Sequence, residues 1–503
     1  MKKVLIGKQI SVEDVYLVSS DRTTSVEIDK NAIKKIKDSR SKIDDVLKND
    51  KVVYGVNTGF GSLSGVRIDN TKSKQLQSNY IRSHSAGVGT PLEEEFVRAI
   101  MFLRAQNLSL GYSGVRQEVI DALLCFLEHN IIPVIPEKGS VGASGDLAPL
   151  AHLALCLMGE GEVIYKGQTK NTKEVLSSLN IKPLQLEAKE GLALTNGTQF
   201  MTGLCSLALI EAENLLKHAD VISALSVEAV EGTFASFDIR ISNVRPHKGQ
   251  SVVSKNMLYL SSGSEISKSH KNCDKVQDPY SFRCVPQVHG AVRDTLSYLR
   301  NVLSIEINSV TDNPLIFDDA IISGGNFHGE PIAFAADFAS IALTDLSSIS
   351  ERRIDKILTP QFSAGLPAYL AKEGGLNSGF MIAQYTAAAL LNENRVLAHP
   401  SSIDNVPTSN NKEDHVSMGA TGARKLLQIV ENLTSVLAIE LMVAVEGCAQ
   451  RAPLKTSAPL RKVMERVRKE VPPLKEDRVL SGDIAKLTSL IKSRELLEGL
   501  EVE

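Results

Sequence analysis

One segment of the chain could generate a reactive group from its own atoms: Gly139-Ser140-Val141-Gly142-Ala143-Ser144-Gly145-Asp146. Ala-Ser-Gly set among further glycines can bend sharply, and the Gly145 nitrogen can then attack the Ala143 carbonyl because glycine has no Cβ to block the approach. Loss of water from that ring and from the Ser144 side chain would leave an exocyclic methylene conjugated to an imidazolone. That is a strong electrophile, of a kind no free side chain provides. The same residues have a plainer use, as a flexible loop in which Asp146 caps the next helix.

Nothing else in the sequence supplies a seat for a borrowed cofactor. There is no HExxH, no paired-cysteine zinc pattern and no phosphate-binding GxxxxGK[ST] loop. The six cysteines, Cys125, Cys156, Cys205, Cys273, Cys284 and Cys448, show no CxxC spacing, and the start MKKVLIGKQISVED has too short an apolar run for a signal peptide. Both features read as a reduced, cytoplasmic protein. Lys and Arg number 56 against 59 Asp and Glu, a net charge of -3, so no basic excess exists for nucleic acid or a membrane surface. Two uncharged stretches, Gly191 to Ile210 and Gly374 to Asn392, are too rich in Asn, Gln, Ser and Thr for comfortable membrane insertion. They are expected to be buried helices forming walls of the site.

The elements that must hold these residues read as mostly helical. Thr90-Pro91-Leu92-Glu93 has the pattern of a capping box with Pro at the first helical position, followed by Leu92, Phe96, Ile100 and Leu103 at helical spacing. A second helix is predicted over Val115 to His129, stopped by Asn130, Pro133 and Pro136. A third is predicted over Leu150 to Met158, ended by Gly159. VIYKGQT, turning at Lys166-Gly167, is the predicted hairpin. From about Asn196 onward long helices alternate with polar loops, and Leu426 to Val445 is so nearly apolar all round that it belongs at the centre of a bundle. Roughly Arg461 to Glu503 reads as a charged helical cap.

The segment GSVGASGDLAPLAHLALCLMGEGEV resembles the signature of the aromatic amino acid ammonia-lyase family, whose members build a methylidene-imidazolone group from their own Ala-Ser-Gly. The resemblance covers nearly the whole chain. It includes YGVNTGFG from Tyr54, LTNGTQ near 195, VQDPYSFRCVPQV near 277, GGNFHGEPIAFAAD near 325 and GLNSGFMIAQYTAAAL near 375. It implies a prosthetic group formed autocatalytically from Ala143, Ser144 and Gly145, with no metal or nucleotide required. It also implies a mainly α fold: an N-terminal part over 1–195 bearing the prosthetic loop, a central long-helix bundle over 196–455 and a C-terminal helical cap over 456–503. Homotetramers whose active sites draw on three subunits are expected, with no nucleic-acid or membrane partner.

By itself Tyr54 would be a packed aromatic, and the glycines after it have the wrong spacing for a dinucleotide loop. The resemblance makes Tyr54 the general base that removes the β-proton. A phenol of reference pKa about 10 does so near neutral pH only where cations or hydrogen-bond donors favour phenolate. The resemblance also makes Arg283 the clamp on the substrate carboxylate, and places Tyr280 and Gln277 of the same loop at the site, Tyr280 with a catalytic part. It puts Asn196 beside the prosthetic group and the carboxylate, and packs Phe327 against the ring.

Two positions point to the substrate. Ser83-His84 is the His-bearing form of the family's selectivity position, where phenylalanine-type members carry apolar pairs. Glu413, in NNKEDHVSMG, stands where members directed at tyrosine or phenylalanine usually carry an amide. Glu413 could simply favour the N-terminal end of the following helix through its dipole. A carboxylate also accepts a hydrogen bond from an imidazole N–H and pairs with imidazolium, and gains nothing from a phenyl ring. The expected substrate is therefore L-histidine and the product trans-urocanate. Lys412 departs from the Gln expected in many such enzymes. Within the family the alternative is a tyrosine or phenylalanine ammonia-lyase, or an aromatic 2,3-aminomutase; outside it, the fumarase and aspartase type, helical but lacking a prosthetic group, and an inert helical scaffold are the competing classes.

Overall fold

The computed structural model describes residues 2–271 and 275–503; Cys273 lies outside them. The protein is 59% helical, with nineteen α-helices and only short strands among the described residues, which is the mainly α fold expected from the sequence. Two compact units are present, each assembled from three stretches of chain.

The first unit comprises Met1–Ile210, Leu299–Asp337 and Pro400–Arg424. Its centre is the helix Glu94–Ser109, in which every residue from Val97 to Ser109 is buried. Two arginines inside it serve neighbouring backbone. Arg98 donates to Val18 O at 3.1 Å, Leu127 O at 3.1 Å and Asn130 Oδ1 at 2.8 Å, satisfying carbonyls at the ends of the helices Val12–Ser20 and Gln117–Glu128. The expected capping box at Thr90 does not form. Val88–Pro91 is instead a strand paired with Pro136–Lys138, Leu92 N donates to Ile135 O at 2.9 Å, and the helix starts at Glu94 with Glu93 as an N-cap that makes no side-chain bond. A nonlocal ladder has taken the backbone that local capping would have used.

Other local signals hold. The second and third helices run Gln117–Glu128 and Leu147–Leu157. The hairpin Glu162–Tyr165 with Gln168–Asn171 turns on Lys166 and Gly167, both at positive φ (54° and 74°), and Ile132–Pro133 adds a third strand. The stretch from Gly191 is buried throughout, as the helix Glu190–Thr195, a break at Asn196–Thr198 and the start of the helix Gln199–Ala229.

The second unit comprises Glu211–Tyr298, Phe338–His399 and Lys425–Glu503. Within it Leu426, Ile429, Leu433, Leu437, Leu441 and Val445 are fully buried on the helix Gly419–Ala449, as their pattern predicts. One buried charge pair is Arg353 with Glu440: Arg353 donates through Nε at 2.5 Å and Nη2 at 2.9 Å, and Ser226 and Ser350 donate to the same carboxylate. The helices Ala458–Glu470 and Ser481–Ser493 form the charged C-terminal region. Within the single chain the Gly374 to Asn392 stretch is not buried as a wall. Leu376, Ile382 and Tyr385 are 79%, 59% and 61% exposed, and only Ala383, Ala387 and Leu391 of the apolar residues on the helix Met381–Leu397 are buried. Its apolar residues are spread around the helix, and the buried face is the one that alanines at i and i+4 allow to pack closely.

Glu330–Leu358 and Gly419–Ala449 are long and apolar enough to cross a bilayer, but 67% and 78% of their most apolar windows are buried inside the protein. They are core helices.

Candidate active site

The Ala143-Ser144-Gly145 segment lies between the strand Pro136–Lys138 and the helix Leu147–Leu157 and is pinned along its length. Ser140 Oγ accepts from Gly142 N at 3.1 Å and donates to Asp146 Oδ1 at 2.8 Å. Ser417 Oγ donates to Gly142 O at 3.0 Å, Met418 N to Val141 O at 2.9 Å and Asp146 N to Gly197 O at 2.7 Å. Gly145 has φ +75°, and a Cβ there would lie 2.5 Å from Gly197 N, so only glycine fits. Asp146 stands at the N-cap of the helix Leu147–Leu157 but caps nothing with its side chain; Oδ2 accepts from Met201 N at 3.0 Å instead. Its carboxyl is fully buried, and desolvation outweighs these donors and pushes it up to about 7.

A cavity of about 770 Å³ is lined by Tyr54, His84, Ser144, Asn196, Phe327 and Glu413, together with apolar residues such as Leu76 and Leu192. Six of the residues proposed from sequence thus meet in one place. Glu413 is on a tight turn, outside the first turn of the helix Gly419–Ala449, where Ser409, Asn410 and Asn411 all take positive φ and Thr408 and Glu413 pair across it. Its Oε1 accepts from Ser144 Oγ at 3.1 Å and its Oε2 from Thr408 Oγ1 at 3.0 Å. Lys412 Nζ donates to Ser64 Oγ at 3.1 Å.

His84 ends the helix Ser73–His84, and its Nδ1 lies 2.9 Å from Tyr80 O. Burial pushes the imidazole below its ordinary value, the Tyr80 carbonyl and Glu413 opposing. Asn196 donates through Nδ2 to Asn313 O at 3.1 Å, while its buried Oδ1 has no hydrogen-bond donor. Tyr54 Oη accepts from Gly61 N at 3.4 Å. Its phenol is held above the ordinary value, by burial first and then by the negative charges of Glu413 and Asp312. No Lys or Arg is among the described residues lining this cavity.

Gln277, Tyr280 and Arg283 are elsewhere, in the second unit, and do not line the cavity. Tyr280 is 70% exposed, Gln277 is exposed, and the Arg283 guanidinium rests 4.5 Å from the centre of the Tyr280 ring. Among the cavity residues not anticipated from sequence are Tyr80 and Thr408. Buried Tyr80 packs its ring, tilted by 38°, 3.9 Å from the His84 ring and accepts from Thr195 Oγ1 at 3.1 Å; its place one helical turn before His84 was the available signal. Thr408 was marked only by the Ser-Asn-Asn turn that brings it opposite Glu413. Among the described residues no group of three His, Cys, Asp or Glu side chains is arranged to hold a metal ion.

The pinned Ala-Ser-Gly loop above a mostly apolar cavity, carried on this helical frame, is matched by a family model. The aromatic amino acid lyase model matches residues 10–469, and the chain belongs to that family. It is a carbon–nitrogen lyase, and the resemblance drawn from the Ala-Ser-Gly segment is borne out. A histidine ammonia-lyase from Koribacter versatilis is 50% identical over 98% of each chain. A solved histidine ammonia-lyase from Trypanosoma cruzi is 41% identical with a TM-score of 0.92, over 99% of this chain and 94% of that one. Tyrosine aminomutase from Streptomyces globisporus is 38% identical with a TM-score of 0.94, over 99% and 100%.

Proposed function

We propose that this chain eliminates ammonia from L-histidine without oxidation, giving trans-urocanate, the first step in breaking that amino acid down. The electrophile is a methylidene-imidazolone made from Ala143, Ser144 and Gly145, in a cytoplasmic homotetramer. The residues suit the group: Gly145 occupies a place that admits no Cβ, Ser144 lines the cavity, and Asn196 Oδ1 is buried without a donor. When formed, the group supplies an electrophile at Ser144 that helps the amine leave, the β-proton come off, or both.

The remaining tasks fall to side chains. Glu413 accepts the imidazole N–H, and His84, tied through Nδ1 to Tyr80 O, offers Nε2 to the ring. Leu76, Leu192 and Phe327 help exclude water. Tyr54 takes the β-proton at Oη. The positive charge that its phenolate lacks within this cavity is assigned to Arg283 of the partner subunit, which also anchors the carboxylate, with Tyr280 and Gln277 from the same loop. The exposure of Gln277 and Tyr280 supports the assignment.

The observation that carries this reading is Glu413 in the cavity beside Ser144. Purified protein supplied separately with histidine, tyrosine and phenylalanine should produce urocanate absorbance from histidine alone. Coumarate or cinnamate without urocanate would overturn the substrate. An intact mass lacking a deficit of two waters would overturn the prosthetic group.

A further inference from the structure

The Asn196-Gly197-Thr198 break faces the Ala-Ser-Gly loop directly. Gly145 and Gly197 are bridged in parallel, and Gly197 O accepts from Asp146 N at 2.7 Å, fixing the peptide just after Gly145. Neither glycine has room to spare. A Cβ on Gly145 would run into the Gly197 backbone, and one on Gly197 would lie 2.5 Å from Arg104 Nη1 and 2.9 Å from Thr311 O.

Arg104 holds this break from behind. From the central helix Glu94–Ser109 it donates through Nη1 to Asn196 O at 3.0 Å and Gln199 Oε1 at 2.5 Å, and through Nη2 to Asn107 Oδ1 at 2.8 Å. Gln199 Nε2 in turn donates to Thr311 Oγ1 at 2.8 Å. The guanidinium is completely buried, and no carboxylate is among these partners. A buried cation bonded only to neutral oxygens is a costly way to fill a core, and its Nη1 fixes two acceptors of one turn, Asn196 O and Gln199 Oε1.

We infer that the Asn196–Gln199 turn, clamped by Arg104, is the template against which Ala143-Ser144-Gly145 is bent for ring closure, making Gly197 and Arg104 positioning residues for the prosthetic group. This rests on the reading that the group forms. In the closure, the Gly145 nitrogen bonds to the Ala143 carbonyl carbon, whose oxygen leaves as water with the amide protons of Ser144 and Gly145. The Ser144 hydroxyl then leaves with its α-proton as a second water, and nothing is oxidised or reduced. An amide nitrogen is a poor nucleophile, so the rate depends on how closely the fold holds it to the carbonyl.

The test is the time course of intact mass for the soluble chain, whose folding is checked by circular dichroism, after cell-free synthesis. It uses wild type, Gly197→Ala, Arg104→Lys and the mild Thr311→Val. Wild type should lose two waters. Arg104→Lys and Thr311→Val should fold and lose them roughly ten- to a hundredfold more slowly, and folded Gly197→Ala should keep the mass of the plain sequence. Wild-type rates in folded Arg104→Lys and Thr311→Val overturn the proposal. So does a lower yield whose soluble remainder is fully converted, the mark of a purely structural role. A wild-type chain that shows no deficit overturns the underlying reading instead.

Discussion

At the scale of single residues, the proposed function has the cavity couple recognition to acid–base chemistry through Glu413. Replacing it by Gln should lower kcat/KM for histidine roughly ten- to a hundredfold, the worth of one hydrogen bond to a charged group at about 1.5–3 kcal/mol. The same change should move the ascending limb of the kcat/KM profile, where activity rises as the base ionises, to lower pH. Phenolate is the form of Tyr54 that accepts a proton, the Glu413 charge raises the Tyr54 phenol, and its removal lets the phenol ionise sooner. A limb that stays in place would disprove the coupling. Tyr54→Phe should cut kcat by roughly 10²- to 10⁴-fold while keeping the two-water mass deficit, read by steady-state kinetics beside intact mass. The residues named for this cavity were legible because each sits in a distinctive local string. The Lys189 to Asp312 ion pair, 2.8 Å apart with both side chains fully buried, and the Arg104 clamp were not. Their partners lie about a hundred residues away, and no spacing in the chain announces such a meeting.

At the scale of elements, what was legible is what the chain decides locally. The Lys166-Gly167 hairpin and the stop at Gly159 depend on backbone angles that Gly adopts freely, so composition reveals them. The Thr90 box failed because a strand partner more than forty residues on competed for the same backbone. Two substitutions show the difference. Thr90→Ala should change stability by no more than about 0.5 kcal/mol, as for an ordinary surface site. Ser11→Ala should cost about 1 kcal/mol, because Ser11 Oγ accepts from Asp14 N at 3.1 Å and Asp14 Oδ2 accepts from Ser11 N at 2.8 Å, a complete capping box. Chemical denaturation of the two variants side by side would check this, and equal losses would count against it.

At the scale of the whole molecule, the buried Arg353–Glu440 pair shows how geometry answers a buried charge. Arg353→Met leaves Glu440 buried and uncompensated and should destabilise the second unit by about 3–5 kcal/mol, whereas joining it to Glu440→Leu should restore much of the loss. Calorimetric melting of the single and double variants decides this, and a double variant no better than the single would refute it. One further consequence comes from the hydrogen bond between Ser144 and Glu413. On the proposed function, the hydroxyl that donates it is the one discarded in maturation, so the nascent protein spends its recognition carboxylate on itself. The act that makes the enzyme competent also vacates the seat for its substrate. Selectivity and activity therefore begin at the same moment, and an immature molecule does not tie up histidine that it has no means to convert.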